Sequence, residues 1–280
     1  MFVKMIGENN MDEQNKPSFE INPFPVSKDT GDALAKPIAA SLGEAGKTIL
    51  DGIFHFTLDP IRKFNIQRSY ALEQFEIEVK ESVSKIPDEF LDDSMTGVVL
   101  KTIEDSRYQL NHEDIRKMFS NLISATLDSR ENSRVSPKYS SIISDMSPRE
   151  AILLQKIYNN KVQTVPLVNL KVRNRENYSE RTIYLNHLLL DSGPDNSFAL
   201  ELSLLESANL ITLAKDFRLT SPNFAEKITD FEKSFGDVNN TFGGLLKNEN
   251  EYVEFFHSTY FLTELGSSFC DIVFENNRDL

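Results

Sequence analysis

The chain has one cysteine among 280 residues, Cys270, so it can form no internal disulfide and needs no oxidising compartment. No apolar run approaches the roughly 18 residues of a membrane-crossing helix. The opening MFVKMIGENNMDEQNK has too short an apolar stretch for a secretory signal. The cytoplasm is therefore the expected address. Positive charge is also scarce, with 30 Lys and Arg against 43 Asp and Glu, for a formal charge of −13. Nucleic acid and anionic lipid repel such a chain unless its cations are gathered locally. A general nucleic-acid coating role is therefore disfavoured.

Catalytic signatures are missing as well. No GxxxxGK[ST] loop occurs, and Gly43-Glu44-Ala45-Gly46-Lys47-Thr48 lacks its spacer and lies within an amphipathic pattern instead of after a strand. His55, His112, His187 and His257 are scattered without metal-ligand spacing, and no Gly-x-Ser-x-Gly elbow is present. His55 and His257 read as partners of backbone carbonyls. Asp88-Glu89, Asp92-Asp93 and Glu113-Asp114 fall at loops and helix starts, where carboxylates complement the helix dipole and stay solvated. Free cysteine is usually buried, which sets Cys270 in a core instead of at a reaction. The expectation is a non-enzyme with no catalytic, cofactor-binding or metal-ligating residue and no cofactor.

What the sequence does contain is helical periodicity, and enough apolar residues (40%) to bury a sizeable core. Residues 1–30 are polar and interrupted by prolines, so they read as a flexible tail. From Gly31, Leu34, Ile38, Leu42, Ala45, Ile49, Ile53 and Phe56 recur at helical steps. Beside them Ala35, Ala39 and Gly43 form a smooth stripe for close helix approach. Leu72, Phe75, Val79 and Val83 predict a second helix closed by Ile86-Pro87. A third covers Met95 to Leu110. Asn111 is the expected cap of a fourth carrying Ile115, Met118, Phe119, Leu122 and Ile123. Ser136-Pro137 opens a short fifth, and Ser147-Pro148-Arg149-Glu150 is a capping box with proline at the first helical position.

After Asn160 the texture changes. VQTVPLVNLKV is richer in β-branched residues, SFALELSLLESANLITL reads as a helix entering a short strand, and the stretch 215–250 has no strong period. A strand and a closing helix finish the chain. LLESANLITL…YFLTELGSSF resembles the recognition helix and wing of a winged-helix module. The fold expected is mainly α: a helical N-terminal domain over 31–146, then a winged-helix-like α+β domain over 147–280 with a polar insertion near 215–250.

The block IRKMFSNLISATLDSRENSRVSPKYSSIISDMSPREAILL resembles the bacterial abortive-infection alpha proteins, a family linked to phage defence. The resemblance rests on Met118–Leu122, Ala125–Asp128, Ser136-Pro137 and the Asp145-Met146-Ser147-Pro148 turn, with ALAKPIAASLGE and Asp59-Pro60-Ile61 upstream. It implies that the protein protects a bacterial population by halting or killing the infected cell. It carries over no catalytic residue.

Three modes of action fit. The leading one is contact with a protein partner, either a phage or host protein or a second copy held through the small-residue stripe as a homo-oligomer. The second is DNA binding by a winged-helix regulator, using Lys171, Arg173, Arg175 and Arg181 as nucleic-acid contacts. That reading is the weaker, because the candidate recognition helix offers Glu201 and Glu206 and no Lys or Arg. The third is membrane action by the 37–58 amphipathic helix, with Ala35, Ala39, Gly43, Ile49, Ile53 and Phe56 on or beside its contact face. That helix lacks the Lys/Arg enrichment of interfacial helices, so burial against other helices is preferred.

Overall fold

The computed structural model describes residues 66–160 and 163–274. The expected flexible tail, the 37–58 helix and the stripe Ala35, Ala39, Gly43, Ile49, Ile53 and Phe56 lie outside the described residues.

The described chain opens with helices. α1 (Ile66–Ser84) buries Leu72, Phe75, Val79 and Val83, the four positions picked out by spacing. α2 (Thr96–Ser106) and α3 (Glu113–Leu127) follow. α3 is the centre of the helical layer: Ile115, Phe119, Leu122 and Ile123 are wholly excluded from solvent. Its cap differs from expectation. His112, not Asn111, takes the cap position and makes no side-chain cap bond, while Glu113 and Asp114 in the first turn complement the exposed N–H groups. α4 (Lys138–Asp145) and α5 (Pro148–Asn159) complete this layer. At α5 the Ser147 hydroxyl accepts the Glu150 N–H at 3.3 Å and Glu150 accepts the Ser147 N–H at 2.9 Å, so the capping box forms as its residues dictate.

The rest of the chain builds a sheet with helices on both faces. The elements are β1 (Thr164–Asn174), β2 (Glu180–Leu190), β3 (Gly193–Asp195), α6 (Ala199–Ser207), β4 (Ile211–Lys215), α7 (Pro222–Ser234), the short α8 (Val238–Thr241), β5 (Glu251–Leu262) and α9 (Glu264–Val273). The five strands run antiparallel in the order β3-β2-β1-β5-β4. β1 and β5 pair without interruption from Thr164↔Phe261 to Asn174↔Glu251.

This architecture corrects the expectation of a mainly α chain ending in a winged helix. A winged helix places three helices before a two-stranded wing. Here two eleven-residue strands come before α6, and the chain is mixed α and β. Two features hid the sheet. β1 is covered on both faces over most of its length, so it shows no alternation of apolar and polar residues. β2 slips register twice against β1 between Val168 and Lys171, which breaks its own alternation.

The strand faces explain the core. On one face Val165 and Leu167 of β1, Leu188 and Leu190 of β2, Ile211 of β4 and Tyr260 of β5 join the helical layer in a single hydrophobic cluster. That cluster extends from Ala71 to Phe274 and draws side chains from both sides of residue 146. On the other face α7 and α8 cover two smaller clusters. One is Val168, Leu189 and Ile228; the other is Leu170, Val172 and Val253, packed by Phe235, Val238, Phe242 and Leu246. The 215–250 stretch is thus largely the cover of this second face.

Candidate functional site

Beyond the helical layer the first face of the sheet continues outward, where among the described residues no helix joins the core cluster. Alternation along β1 puts Asn169, Lys171 and Arg173 on this face after Val165 and Leu167. The β1–β5 register sets Phe256, Glu254 and Tyr252 directly beside them. On the other flank β2 sets Thr182 opposite Lys171 and Glu180 opposite Arg173. The result is a surface of two cations, two carboxylates and two aromatic rings.

These groups are closely paired. Lys171 Nζ donates to Glu180 Oε1 at 2.7 Å and sits 3.3 Å from the centroid of the Phe256 ring. Arg173 Nη1 lies 2.7 Å from Glu254 Oε1, and its Nε lies 3.4 Å from Glu180 Oε2. The Glu254 carboxylate beside it raises the Arg173 guanidinium further. Hydrogen bonding from Lys171 holds the Glu180 carboxyl below its ordinary value. At the β1–β2 turn the Asn174 side chain accepts the N–H groups of Glu176 and Asn177 at 2.9 and 3.2 Å. Just beyond, Tyr178 takes a left-handed conformation with φ 55° and presents a ring that is 85% exposed. Arg175 stacks over Tyr252, its Cζ 5.1 Å from the ring centroid.

The four residues singled out for nucleic-acid contact do not form one patch. Lys171 and Arg173 share the open face, and Arg175 belongs to the turn. Arg181, paired with Val172, belongs to the opposite face. There its Nη2 donates to the Leu245 carbonyl and lies 3.1 Å from Glu251 Oε2. Glu251 is itself held low, first by the Lys247 backbone N–H and then by Arg181. Lys171, Arg173 and Arg181 are thus matched by Glu180, Glu254 and Glu251. The candidate recognition helix is also committed elsewhere. Glu201 is buried on α6 and accepts Arg149 Nε of α5 at 2.5 Å, which docks α6 on the helical layer.

The other sequence candidates are placed as follows. Cys270 is fully buried on α9, and burial pushes its thiol well up. His257 does not meet a backbone carbonyl as expected. Its Nε2 lies 2.6 Å from Glu232 Oε1 of α7. His187 is buried against the Phe231 ring at 5.3 Å, and burial lowers its pKa. Among the described residues no group of His, Cys, Asp or Glu is arranged to hold a metal ion, and no helix is long and apolar enough to cross a membrane.

A concavity of about 760 Å³ opens between α1, α3, α5 and the end of α9. Glu81, Lys85, Asp114, Lys117, Asn121 and Asn160 are among its lining residues. Ser82 and Ser120 hydroxyls meet across it at 3.2 Å. Its walls offer hydrogen-bonding groups and charge of both signs.

A family model described as abortive infection alpha matches residues 67–273. Neither a curated protein nor a solved structure matches the chain.

Proposed function

The chain belongs to the abortive infection alpha family, which implies a role in phage defence, and from that premise we propose that it is a non-enzymatic defence protein acting in the cytoplasm through protein–protein contacts. The observation that carries this reading is the matching of Lys171, Arg173 and Arg181 by Glu180, Glu254 and Glu251. A surface that neutralises phosphates must leave its cations available, because each counterion it releases depends on them. Here the same cations already hold carboxylates, on a chain whose net charge is −13. What remains beside these pairs is Tyr252 and Phe256, with Arg175 over Tyr252 and Tyr178 exposed at the adjoining turn. Aromatic rings and arginines in a charge-balanced setting are the composition of protein interfaces.

The test is phage challenge of bacteria with and without the gene, at low and high phage-to-cell ratio. Survival at low ratio with culture collapse at high ratio is the expected result; no difference at either ratio overturns the role. The contact reading has its own test in Tyr178→Ala combined with Tyr252→Ala. Protection is expected to fall while the circular dichroism and Tm of the purified protein stay unchanged. Salt-sensitive binding of duplex DNA by the wild-type protein, abolished by Arg173→Ala with Arg175→Ala, would instead favour nucleic acid as the partner.

A further inference from the structure

A sheet must do something with its edges, since an unpaired strand presents a row of backbone donors and acceptors to any other strand. On one side this sheet ends in β3, only three residues long with Pro194 at its centre. Proline lacks the N–H and so blunts that edge. Among the described residues the first half of β5 has no strand outside it, and there Asn239 Oδ1 accepts the Val253 N–H at 2.7 Å. β4 is the exception. It pairs with β5 on its inner side, and among the described residues no strand lies outside it.

The direction of its peptide groups follows from the bonds at its ends. Thr263 N–H donates to the Leu210 carbonyl at 3.0 Å, whereas Leu262 N–H turns the other way to Gln163 O at 3.4 Å. Antiparallel pairing alternates this pattern every second residue. Thr212 and Ala214 therefore bond inward to Phe261 and Thr259. Ile211, Leu213 and Lys215 turn their N–H and C=O groups outward, centred on Leu213.

We propose that β4 is a docking edge for a second copy of this chain, paired antiparallel with itself about Leu213. In such a pair Leu213 exchanges both backbone bonds with its own mate across the twofold axis. Lys215 of each copy then stands opposite Ile211 of the other, on the face that also carries Leu213. Charge favours this partner. Glu206, at the end of α6, acts on Tyr260, whose hydroxyl is pushed up to about 12 by burial first and by Glu206 second. Tyr260 is the cross-strand neighbour of Leu213. Glu206 also sits at the turn into β4, where its carbonyl accepts the Asn209 N–H at 2.9 Å just before Ile211, the residue that the incoming Lys215 faces. The twofold axis repeats this complementarity, giving two Lys215–Glu206 contacts from one pair of residues.

This inference names a partner for the contact reading above and takes its significance from it. The measurement is light scattering and sedimentation of the full-length protein over a concentration series up to about 100 μM, well above the Kd of a specific homodimer. A dimer is expected. Lys215→Glu is expected to raise its Kd about tenfold, as is Glu206→Lys, while the double charge swap restores it. Leu213→Cys is expected to give a disulfide-linked dimer on mild oxidation. The wild type, whose only cysteine is buried, gives none. A wild-type monomer throughout the series overturns the proposal. So does a dimer that ignores the charge variants and is not captured through Cys at 213. A monomer with intact phage defence removes this edge alone, and a dimer without phage defence removes the proposed role alone.

Discussion

Gly266, in the first turn of α9, has no room for a side chain. A Cβ built there would stand 1.9 Å from the Leu210 carbonyl oxygen and 2.8 Å from its carbon, both backbone atoms. The close approach is fixed from both sides. The Thr263 hydroxyl donates to the Asn209 carbonyl at 2.6 Å and accepts the Gly266 N–H at 2.8 Å, so it clamps the end of α6 onto the start of α9. Gly266→Ala must push these elements apart. The expected loss is at the upper end of the roughly 1–3 kcal/mol of overpacking, because backbone cannot swing aside as a side chain can. Urea unfolding measures it, with Gly243→Ala as a contrast, since nothing lies within 4 Å of a Cβ at that position. Residues near 266 along the chain carry no signal of the requirement for glycine. Gly266 meets residue 210 only through the fold.

At the scale of elements, α7 is held differently from the helices of the first face. The cluster beneath it has three buried members, Val168, Leu189 and Ile228, flanked by Phe231 and Phe255. In the same row of the sheet His187 and His257 stand on either side of Val168. α7 answers them with the Phe231 ring over His187 and the Glu232 carboxylate on His257. Burial lowers the pKa of His187, and nearby Asp195 offsets this only in part. The unfolded imidazole therefore takes up a proton at higher pH than the folded one. Stability is full above the unfolded value of about 6.5 and falls as the pH drops below it, towards the folded pKa. Cooling of the Tm by a few degrees between about pH 7.5 and about pH 5.5 is expected, and His187→Gln should flatten that slope. An unchanged slope in the variant would show that another group carries the dependence. The histidine pair could not be read from the sequence, because residues 187 and 257 come together only through β1 between them.

Across the molecule the main cluster ignores the boundary drawn at residue 146. Tyr139 of α4 packs edge to face on Phe269 of α9 at 5.3 Å, and its hydroxyl donates to Ser268 at 2.9 Å. Asn121 of α3 donates to the Val273 carbonyl at 2.9 Å, and Arg134 reaches Asp271 at 2.8 Å. α9 is thus built into a layer that begins some two hundred residues earlier in the chain. The full chain is expected to lose its helical layer and its sheet in one transition, followed in urea by far-ultraviolet dichroism and by tyrosine fluorescence together. A fragment beginning at residue 147 is expected to show no cooperative transition, because it would expose the face of α9 that the helical layer covers. Two separated transitions in the full chain would mean that the sheet folds on its own.

By itself the sequence determined the features that act over one or two helical turns. The buried stripe of α1, the Ser147–Glu150 capping box and the proline-started α5 all follow from residues close along the chain. It also carried the family, through ordered turns such as Asp145-Met146-Ser147-Pro148. Tertiary structure alone decided the sheet and what stands on it. β1 pairs with β5 across more than seventy residues, and β2 loses its alternation at two register slips, so neither strand announces its partner. The same pairing decided the fate of Lys171, Arg173 and Arg181. A basic cluster along the chain became a charge-balanced surface because Glu180, Glu251 and Glu254 arrive from other strands. Only the register between strands could fix how those charges meet.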